Sequence, residues 1–388
     1  MRHGRQADVF GQAAHSPSMF ELGRKLGEQE VVDFCIPCNP YFPTPEMFEE
    51  LSSNLESVLK FYPSDSGTIA GHLAQVLGLN PATIAMSNGS TELITWMDHL
   101  WITKSMAVPV PTFGRWTDQS METGKRVDMF LLREEDGFAL DVDAYVRFIR
   151  ARGSRVAVVC NPNNPDGGYL PRREVLRLLD ELSDLDLVVV DESFIDFMDA
   201  EPDGSVARDA TIRPNVVVLK SLGKNFGLHG IRFGYLVANP ALARRMAAVL
   251  PKWNLNSLAE TVVFMLRDHE SAYRDSLTQL SEDRYRMAVE LGRLSMLQVY
   301  PSQANFFLVK LADGLDGTEL RDYLLAEHRV FVRECGNKLG MTSQYLRLVV
   351  RPEPDVQRLV TGLRRFAQLR RPPERVLTVA SLVSRNAS

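Results

Sequence analysis

The sequence predicts an α/β fold, in which a mostly parallel central sheet lies between helices and is followed by a smaller α+β domain. Two continuous apolar runs, Val156–Cys160 and residues 187–190, have the composition of parallel strands that are buried on both faces. Between them, residues 171–182 carry leucines at helical spacing and begin with Pro171. A strand, a helix and a strand at this spacing are typical of a layered α/β domain.

Other elements extend this pattern up to about residue 240. Residues 105–110 and 127–131 are predicted strands, and the apolar runs 216–219 and 233–237 flank a glycine-rich loop. A helical run that ends at Trp101 follows Ser90 and Thr91, either of which can cap its N-terminus.

The pattern changes after residue 250, where one long helix rich in Arg and Glu is predicted over residues 258–294. It is followed by a strand, a helix, two strands and a last helix, at 306–309, 319–327, 330–333, 345–350 and 354–369. We therefore expect four parts: an N-terminal arm that joins the small domain (1–44), a large domain (45–255), an interdomain helix with the small α+β domain (256–372) and a tail (373–388).

Composition excludes several classes of function. The 388 residues carry a formal net charge of −5 without a basic stripe, which argues against nucleic acid as a partner. No apolar stretch approaches the roughly 20 residues that span a bilayer, and no apolar signal core follows the basic N-terminus. Cys35 and Cys38 form a C-x-x-C without a second pair, so we expect no metal and a cytoplasmic protein with reduced thiols.

The glycine-rich loop around Lys224 carries the strongest chemical signal. Ser221 precedes Lys224 by three residues and Arg232 follows it by eight. A lysine amine held between a phosphate-sized anion site and a buried strand suits a Schiff base to pyridoxal 5'-phosphate (PLP). Asn164 and Asp191 follow two other predicted strands, and chemistry in this kind of fold sits at the carboxyl ends of strands.

Together these motifs resemble the aminotransferase class I/II group of fold-type-I PLP enzymes, over roughly residues 30–370. The resemblance implies that Lys224 is the Schiff-base lysine and later moves a proton at Cα, whereas Lys220 lacks the flanking Ser and Arg. It implies that Asp191 pairs with the pyridine nitrogen and keeps it protonated, while Glu192 points to the other side. It also implies that Asn164 hydrogen-bonds the phenolic oxygen of the coenzyme.

The same resemblance implies a phosphate cup made of Ser90, Thr91, Ser221 and Arg232. Ser90 or Thr91 can also act as an ordinary helix cap, and the two roles are compatible.

Two aromatic residues complete the implied coenzyme site. Phe113 matches the aromatic residue that stacks on the coenzyme ring. Tyr62 matches a tyrosine that reaches the phosphate of the neighbouring subunit, which implies a homodimer with shared active sites.

Substrate contacts are implied at four positions. Arg347 matches the arginine that grips an anionic substrate group, and Arg333 matches a second arginine of relatives with phosphorylated substrates. Asn39 and His3 match residues that contact the substrate phosphate in threonine-phosphate decarboxylases. Three positions depart from the family pattern: Phe194 replaces a tyrosine, Gly223 a serine or threonine, and Asp166 a threonine.

Two reactions remain open, and the resemblance places transamination of an amino acid or amine, phosphorylated or otherwise anionic, slightly ahead. This expectation follows histidinol-phosphate aminotransferases, because aminotransferases outnumber decarboxylases in this fold. The alternative is a decarboxylase of a phosphorylated amino acid, which the residues 191–197 and the N-terminal arm resemble more. A non-catalytic regulator with this fold is a third hypothesis, which the presence of Lys224 and Asp191 disfavours.

Overall fold

The structure is a computed structural model that describes residues 18–26 and 30–370. The helices in these ranges are α1 Met19–Leu26, α2 Pro45–Ser53, α3 Leu55–Lys60, α4 Ser66–Leu77, α5 Ser90–Leu100, α6 Arg115–Glu122, α7 Val142–Arg152, α8 Arg172–Glu181, α9 Ala207–Ala210, α10 Leu222–Asn225, α11 Pro240–Ala247, α12 Ser257–Met265, α13 Glu270–Gly292, α14 Gly317–His328 and α15 Glu353–Arg370. The strands are β1 Val32–Phe34, β2 Ile84–Ser87, β3 Ser105–Val110, β4 Arg126–Leu131, β5 Val156–Cys160, β6 Leu187–Asp191, β7 Val216–Lys220, β8 Gly234–Ala238, β9 Leu297–Val299, β10 Phe306–Leu311, β11 Val330–Glu334 and β12 Tyr345–Val349.

Seven strands form the larger sheet, in the order β2-β8-β7-β6-β5-β3-β4. β8 runs antiparallel to both of its neighbours, and the other strands are parallel to one another. Every residue of β6 and β7 is buried, since helices cover both faces of the sheet. The predicted α/β class and the mostly parallel sheet are confirmed.

The smaller sheet has five strands in the order β1-β11-β12-β10-β9. β1 pairs with β11 in parallel, which ties the segment before residue 44 to this sheet, and the other pairs are antiparallel. Its buried face packs against α13, α14 and α15 through a second hydrophobic core. The domain boundaries given above stay a prediction.

The prediction of one continuous helix after residue 250 is wrong. The helix expected over residues 258–294 is two helices, α12 and α13, separated by a turn at residues 266–269. Val262 and Leu266 pack into the core of the larger sheet, whereas Leu280 and Met287 pack into the core of the smaller sheet. Because α12 and α13 pack against different cores, the chain bends between them, at a place where the sequence has neither Gly nor Pro.

The length and polarity of the helices bear on a membrane location. Within residues 18–26 and 30–370, no helix combines the length and the apolar character needed to cross a bilayer.

Candidate active site

Four strands of the larger sheet deliver polar or aromatic residues to the same edge. Asp191 is the last residue of β6, and Lys224 lies in α10, just after β7. Asn164 follows β5 and Phe113 follows β3. Because these strands are parallel, their carboxyl ends meet, and the four predicted residues lie along one edge of the sheet.

Lys224 has the environment of a reactive amine. Its Nζ lies 4.2 Å from the centre of the Phe194 ring and 5.5 Å from that of Phe113. No hydrogen bond or ion pair joins this Nζ to any other described side chain. Burial lowers the pKa of Lys224 to about 8; Asp191 opposes the shift and Arg347 adds to it. A fraction of the amine is therefore neutral, and so nucleophilic, near neutral pH.

Lys220, four residues earlier, has the opposite environment. Its Nζ lies 3.1 Å from Glu192 and 3.3 Å from Asp196. Burial alone would lower its pKa, but Asp196 and Glu192 outweigh burial and raise it. Lys220 is thus held as a cation on the other side of the strand ends, where Glu192 also points.

Hydrogen bonds to Asp196, which also contacts Lys220, fix the segment that carries Lys224. Asp196 accepts hydrogen bonds from Asn225 at 2.7 Å and from Tyr273 at 2.9 Å. Because Asn225 follows Lys224 directly, this buried network anchors the short helix α10 from behind. The sequence analysis missed these partners, since nothing in their spacing along the chain relates residues 196, 225 and 273.

Asp191 is buried with both carboxylate oxygens oriented. Trp116 Nε1 donates to Oδ2 at 2.8 Å, and the backbone N–H of Ser193 donates to Oδ1 at 3.1 Å. Each carboxylate oxygen accepts more than one hydrogen bond, so a further N–H can still be bound. Trp116 is a positioning residue that the sequence analysis missed, and no motif around it would have revealed it.

The predicted phosphate cup is built by close backbone approach. Gly89 has φ +84°, and a Cβ at this position would lie 2.5 Å from Arg232 Nη2. A Cβ at Gly234 would lie 2.7 Å from the backbone nitrogen of Ser90 and 3.0 Å from the oxygen of Lys220. Only glycine permits these contacts, which bring the start of α5, the residue before Ser221 and the Arg232 guanidinium together.

The start of α5 offers free donors to an anion. Gly89 occupies the N-cap position, so no side chain caps the helix, and Ser90 and Thr91 supply the first backbone N–H groups. Arg232 adopts the left-handed region at φ +59°, which costs a non-glycine residue about 1 kcal/mol. Strain of this kind at a cluster of donors is characteristic of a ligand-binding site.

Arg347 is a buried guanidinium without an acidic partner in the described part of the chain. Its Nη1 donates to Asn164 Oδ1 at 2.8 Å, and its Nη2 donates to the backbone oxygen of Cys35 at 2.7 Å. Its Nε is buried and has no hydrogen-bond partner. The predicted pair Asn164 and Arg347 is therefore in direct contact, and Arg347 retains binding capacity for an anion.

Arg333 and Arg347 face one another across two strands. They are direct partners in the antiparallel pair β11–β12, so their side chains project from the same face of the sheet. Like charges in directly opposite positions destabilise a sheet, and an anion between them removes that cost. Both arginines line a cavity of about 300 Å³ between the two sheets, together with Phe113 and Asn164.

Neither Asn39 nor Tyr62 lines this cavity. Asn39 is buried, and its side-chain amide is engaged in two hydrogen bonds. Its Nδ2 donates to Ser276 Oγ at 2.8 Å, and its Oδ1 accepts from the backbone N–H of Tyr41 at 3.0 Å. Tyr62 is 85% exposed and packs against Trp253, with ring centres 5.5 Å apart. His3 lies outside the described residues.

The donor set fits PLP. A lysine with a lowered pKa, an oriented buried carboxylate, an aromatic side chain and an anion cup lie at one edge of the sheet. Lys224, Asp191 and Phe113 would hold the coenzyme ring, and Ser90, Thr91, Ser221 and Arg232 would hold its phosphate.

Comparisons with known proteins agree with this geometry. The family model "Aminotransferase class I and II" matches residues 29–363. The chain is similar to an L-serine phosphate decarboxylase of Campylobacter jejuni, with 29% identity over 349 residues that cover 87% of this chain and 89% of that protein. It is also similar to a histidinol-phosphate aminotransferase of Ruminiclostridium cellulolyticum, with 29% identity over 317 residues that cover 80% and 86% of the two chains. Among solved structures, a decarboxylase from Sulfurospirillum multivorans superposes with a TM-score of 0.83 and 28% identity, over 91% of this chain and 92% of the other.

Proposed function

The chain belongs to the aminotransferase class I and II family of PLP-dependent enzymes, and from this membership we propose that it decarboxylates an amino acid with a phosphorylated side chain. O-phospho-L-serine is the model substrate. The observation that carries the proposal is the pair of opposed arginines, Arg333 and Arg347, at a cavity that is also lined by Phe113, whose ring centre is 5.5 Å from Lys224 Nζ. Two guanidinium groups on one face suit a group with two negative charges and several acceptor oxygens.

The coenzyme residues keep the roles that the family implies. When bound, PLP supplies an electron sink for the bond broken at Cα, which is the bond that stands perpendicular to its ring. Asp191 would keep the pyridine nitrogen protonated, because a buried carboxylate stabilises the cation. Trp116 and the backbone of Ser193 hold this carboxylate in place.

Arg333 and Arg347 decide which bond at Cα is exposed. If they hold the side-chain phosphate, neither is left to hold the substrate carboxylate, and Arg115, which also lines the cavity, is paired with Glu122 at 3.0 Å. The bond between Cα and the carboxylate would then be the one that breaks: CO₂ leaves, and the electron pair of that bond stays at Cα, where the coenzyme would delocalise it. Asn164 fixes the orientation of Arg347 through the 2.8 Å hydrogen bond, so it is a positioning residue as well as a coenzyme ligand.

Lys224 completes the reaction with a proton. After CO₂ leaves, Cα needs one proton, and the Lys224 ammonium is placed to donate it. A pKa of about 8, lowered by burial, makes this amine an effective acid at neutral pH. The product is the amine that carries the phosphate, together with CO₂.

Transamination is the alternative, and the sequence analysis placed it first. The comparisons favour decarboxylation, because L-serine phosphate decarboxylases match more of this chain than the histidinol-phosphate aminotransferase does, 87% against 80%. The decarboxylase structure from Sulfurospirillum multivorans supports the same preference.

A homodimer is part of the proposal. Tyr62 and Trp253 are exposed in the single chain, and so are Leu59 and Phe61 in the same segment. A group of exposed apolar residues of this kind supports a contact surface with a second copy, in which Tyr62 reaches the neighbouring phosphate cup.

Product analysis tests the proposed function. The holoenzyme is incubated separately with O-phospho-L-serine, O-phospho-L-threonine and histidinol phosphate, each with 2-oxoglutarate, and products are identified by mass spectrometry. We expect a phosphorylated amine from one of the first two substrates without glutamate. Conversion of histidinol phosphate with equimolar glutamate would establish transamination instead.

A further inference from the structure

Besides Arg333, Arg347 and an Arg115 that pairs with Glu122 at 3.0 Å, the cavity is lined by a lysine that the sequence analysis did not single out. Lys338 lies in the loop between β11 and β12 and lines the cavity with Arg333 and Arg347. Its Nζ donates to the backbone oxygen of Thr112 at 3.0 Å, just beyond the end of β3. Lys338 therefore connects the smaller sheet to the edge of the larger sheet at the place where both face the cavity.

Lys338 has no acidic partner within residues 18–26 and 30–370. An ammonium group has three N–H donors, and the carbonyl of Thr112 uses one of them. Its side chain is partly buried, and a partly buried cation without a counter-charge gains stability when an anion binds. Burial lowers its pKa to about 8; Cys335 opposes this shift, and Arg347 and Arg333 add to it.

We propose that Lys338 completes the subsite for the substrate's side-chain phosphate with Arg333 and Arg347, and that it sets the preference for a phosphate over a carboxylate in that position. The inference rests on the proposed function, because it assumes a substrate with an anionic side chain. A phosphate carries close to two charges and three terminal oxygens, whereas a carboxylate carries one charge and two oxygens. Two arginines neutralise a carboxylate fully, so the third cation matters mainly for the phosphate.

The hydrogen bonds that Arg347 already makes support the need for Lys338 in binding a phosphate. Two of its nitrogens already bind Asn164 and the Cys35 carbonyl, which leaves fewer donors for the substrate. The remaining N–H groups of Lys338 provide the missing hydrogen-bond donors from the loop side of the cavity. The bond to Thr112 holds this loop in place, so Lys338 binds with little loss of side-chain freedom.

Binding of simple anions to the holoenzyme tests the inference without relying on turnover. Calorimetry measures the affinity for inorganic phosphate and for acetate in wild type, Lys338→Gln and Lys338→Arg. Loss of one charge-assisted contact should weaken phosphate binding about tenfold in Lys338→Gln and acetate binding much less. Lys338→Arg, which keeps the charge, should stay within about threefold of wild type.

The control is Lys104→Gln, an exposed lysine at the opposite end of β3. This variant should bind both anions like wild type. Unchanged phosphate affinity in a Lys338→Gln protein that binds PLP normally would overturn the inference. Equal weakening for phosphate and acetate would also overturn the role in selectivity.

The pH dependence gives a second test that does not need Lys338→Gln to fold. The ionisable groups around Lys338 come from β11, β12, its own loop, the end of β5 and α6, and are Arg333, Arg347, Cys335, Cys160, Asp166, Asp118 and Arg115. Phosphate binding requires the charged form of Lys338, so wild-type affinity should fall as the pH rises above about 8. In Lys338→Arg the fall should be absent, since a guanidinium stays charged. Identical profiles in the two proteins would contradict the inference.

The two proposals can fail separately. If the holoenzyme produces glutamate and no CO₂ while Lys338→Gln still loses phosphate affinity, the decarboxylase proposal fails and the Lys338 assignment stands. If CO₂ is released and phosphate affinity is unchanged in Lys338→Gln, the Lys338 assignment fails alone.

Discussion

At the scale of single residues, two lysines four positions apart lie in opposite electrostatic environments. Lys220 lies between Glu192 and Asp196, which keep it charged. Lys224 lies beside two aromatic rings without an acidic contact, and burial lowers its pKa to about 8. One lysine therefore stabilises the strand ends, and the other is free to react.

This difference predicts distinct outcomes for two substitutions. Lys224→Ala should lose the covalently bound coenzyme, which is measured as absorbance after borohydride reduction and removal of free PLP. Lys220→Met should keep the reducible coenzyme but unfold at a lower denaturant concentration, because it leaves the buried Glu192 and the partly buried Asp196 carboxylates without a cation. Retention of a reduced adduct in Lys224→Ala would show that the lysine assignment is wrong.

Part of this site was predictable from the sequence because its residues sit in short motifs at strand ends. The structure brings Lys224, Asp191, Asn164 and Phe113 to one edge and gives Arg347 a contact with Asn164. Trp116 and Lys338 were not predictable. Their roles depend on long-range contacts, with Asp191 and with Thr112, that leave no periodic signal in the chain.

At the scale of elements, the two sheets are linked by contacts between the segment after β4 and the strands β9 and β10. The turn after β4 places Glu134 against β10, where Lys310 Nζ donates to it at 2.7 Å. Tyr300, next to β9, donates to the same carboxylate oxygen at 2.7 Å. A small core below these contacts contains Leu132 from one side and Leu308 from the other. These groups hold the two sheets at a fixed distance.

The Glu134 contacts predict an acid-sensitive contribution to stability. Hydrogen bonds from Lys310 and Tyr300 lower the pKa of Glu134 to about 2 from an ordinary value of 4.5. A lowered folded-state pKa stabilises the fold above pH 4.5, and this stabilisation is lost as the pH falls towards 2.

Glu134→Gln should therefore reduce the free energy of unfolding by about 1 kcal/mol at pH 7, because the pair is partly exposed and screened. The difference from wild type, measured by urea unfolding, should shrink as the pH falls below 4.5. Glu135→Gln is the matched control, since Glu135 is exposed and pairs only with Arg133 among the residues described. A constant difference across the pH range would argue against the ion pair as its source.

Strand and helix positions in the chain were largely predictable, and helix continuity was not. Apolar runs such as Val156–Cys160 predicted strands within a residue, because burial on both faces leaves a clear composition. The break between α12 and α13 arises from packing on two cores and has no local signal. The pairing of β1 with β11 is similarly a long-range event.

At the scale of the whole molecule, the site lies where two separately packed sheets meet. The residues proposed to hold the coenzyme follow strands of the larger sheet, whereas Arg333, Lys338 and Arg347 belong to the smaller sheet and its loop. In the proposed assignment, coenzyme binding and substrate binding are thus divided between the two sheets. A third component is the proposed second copy of the chain.

The proposed dimer makes its own prediction. Sedimentation of the purified protein should give the mass of two chains. Tyr62→Phe keeps the exposed ring but loses the hydroxyl, so the mass should stay the same while PLP affinity falls about tenfold. Tyr285→Phe, at another exposed tyrosine, should change neither quantity. A monomer that binds PLP fully would contradict shared active sites.

The central claim is that the bond to the carboxylate breaks at Cα, and a labelled substrate tests it most directly. Holoenzyme is supplied with O-phospho-L-serine labelled in its carboxyl carbon, in D₂O and with 2-oxoglutarate present. We expect one labelled CO₂ per amine formed, one deuterium at the former Cα and no glutamate. Label that stays in a keto acid, with glutamate formed in equal amount, would contradict it.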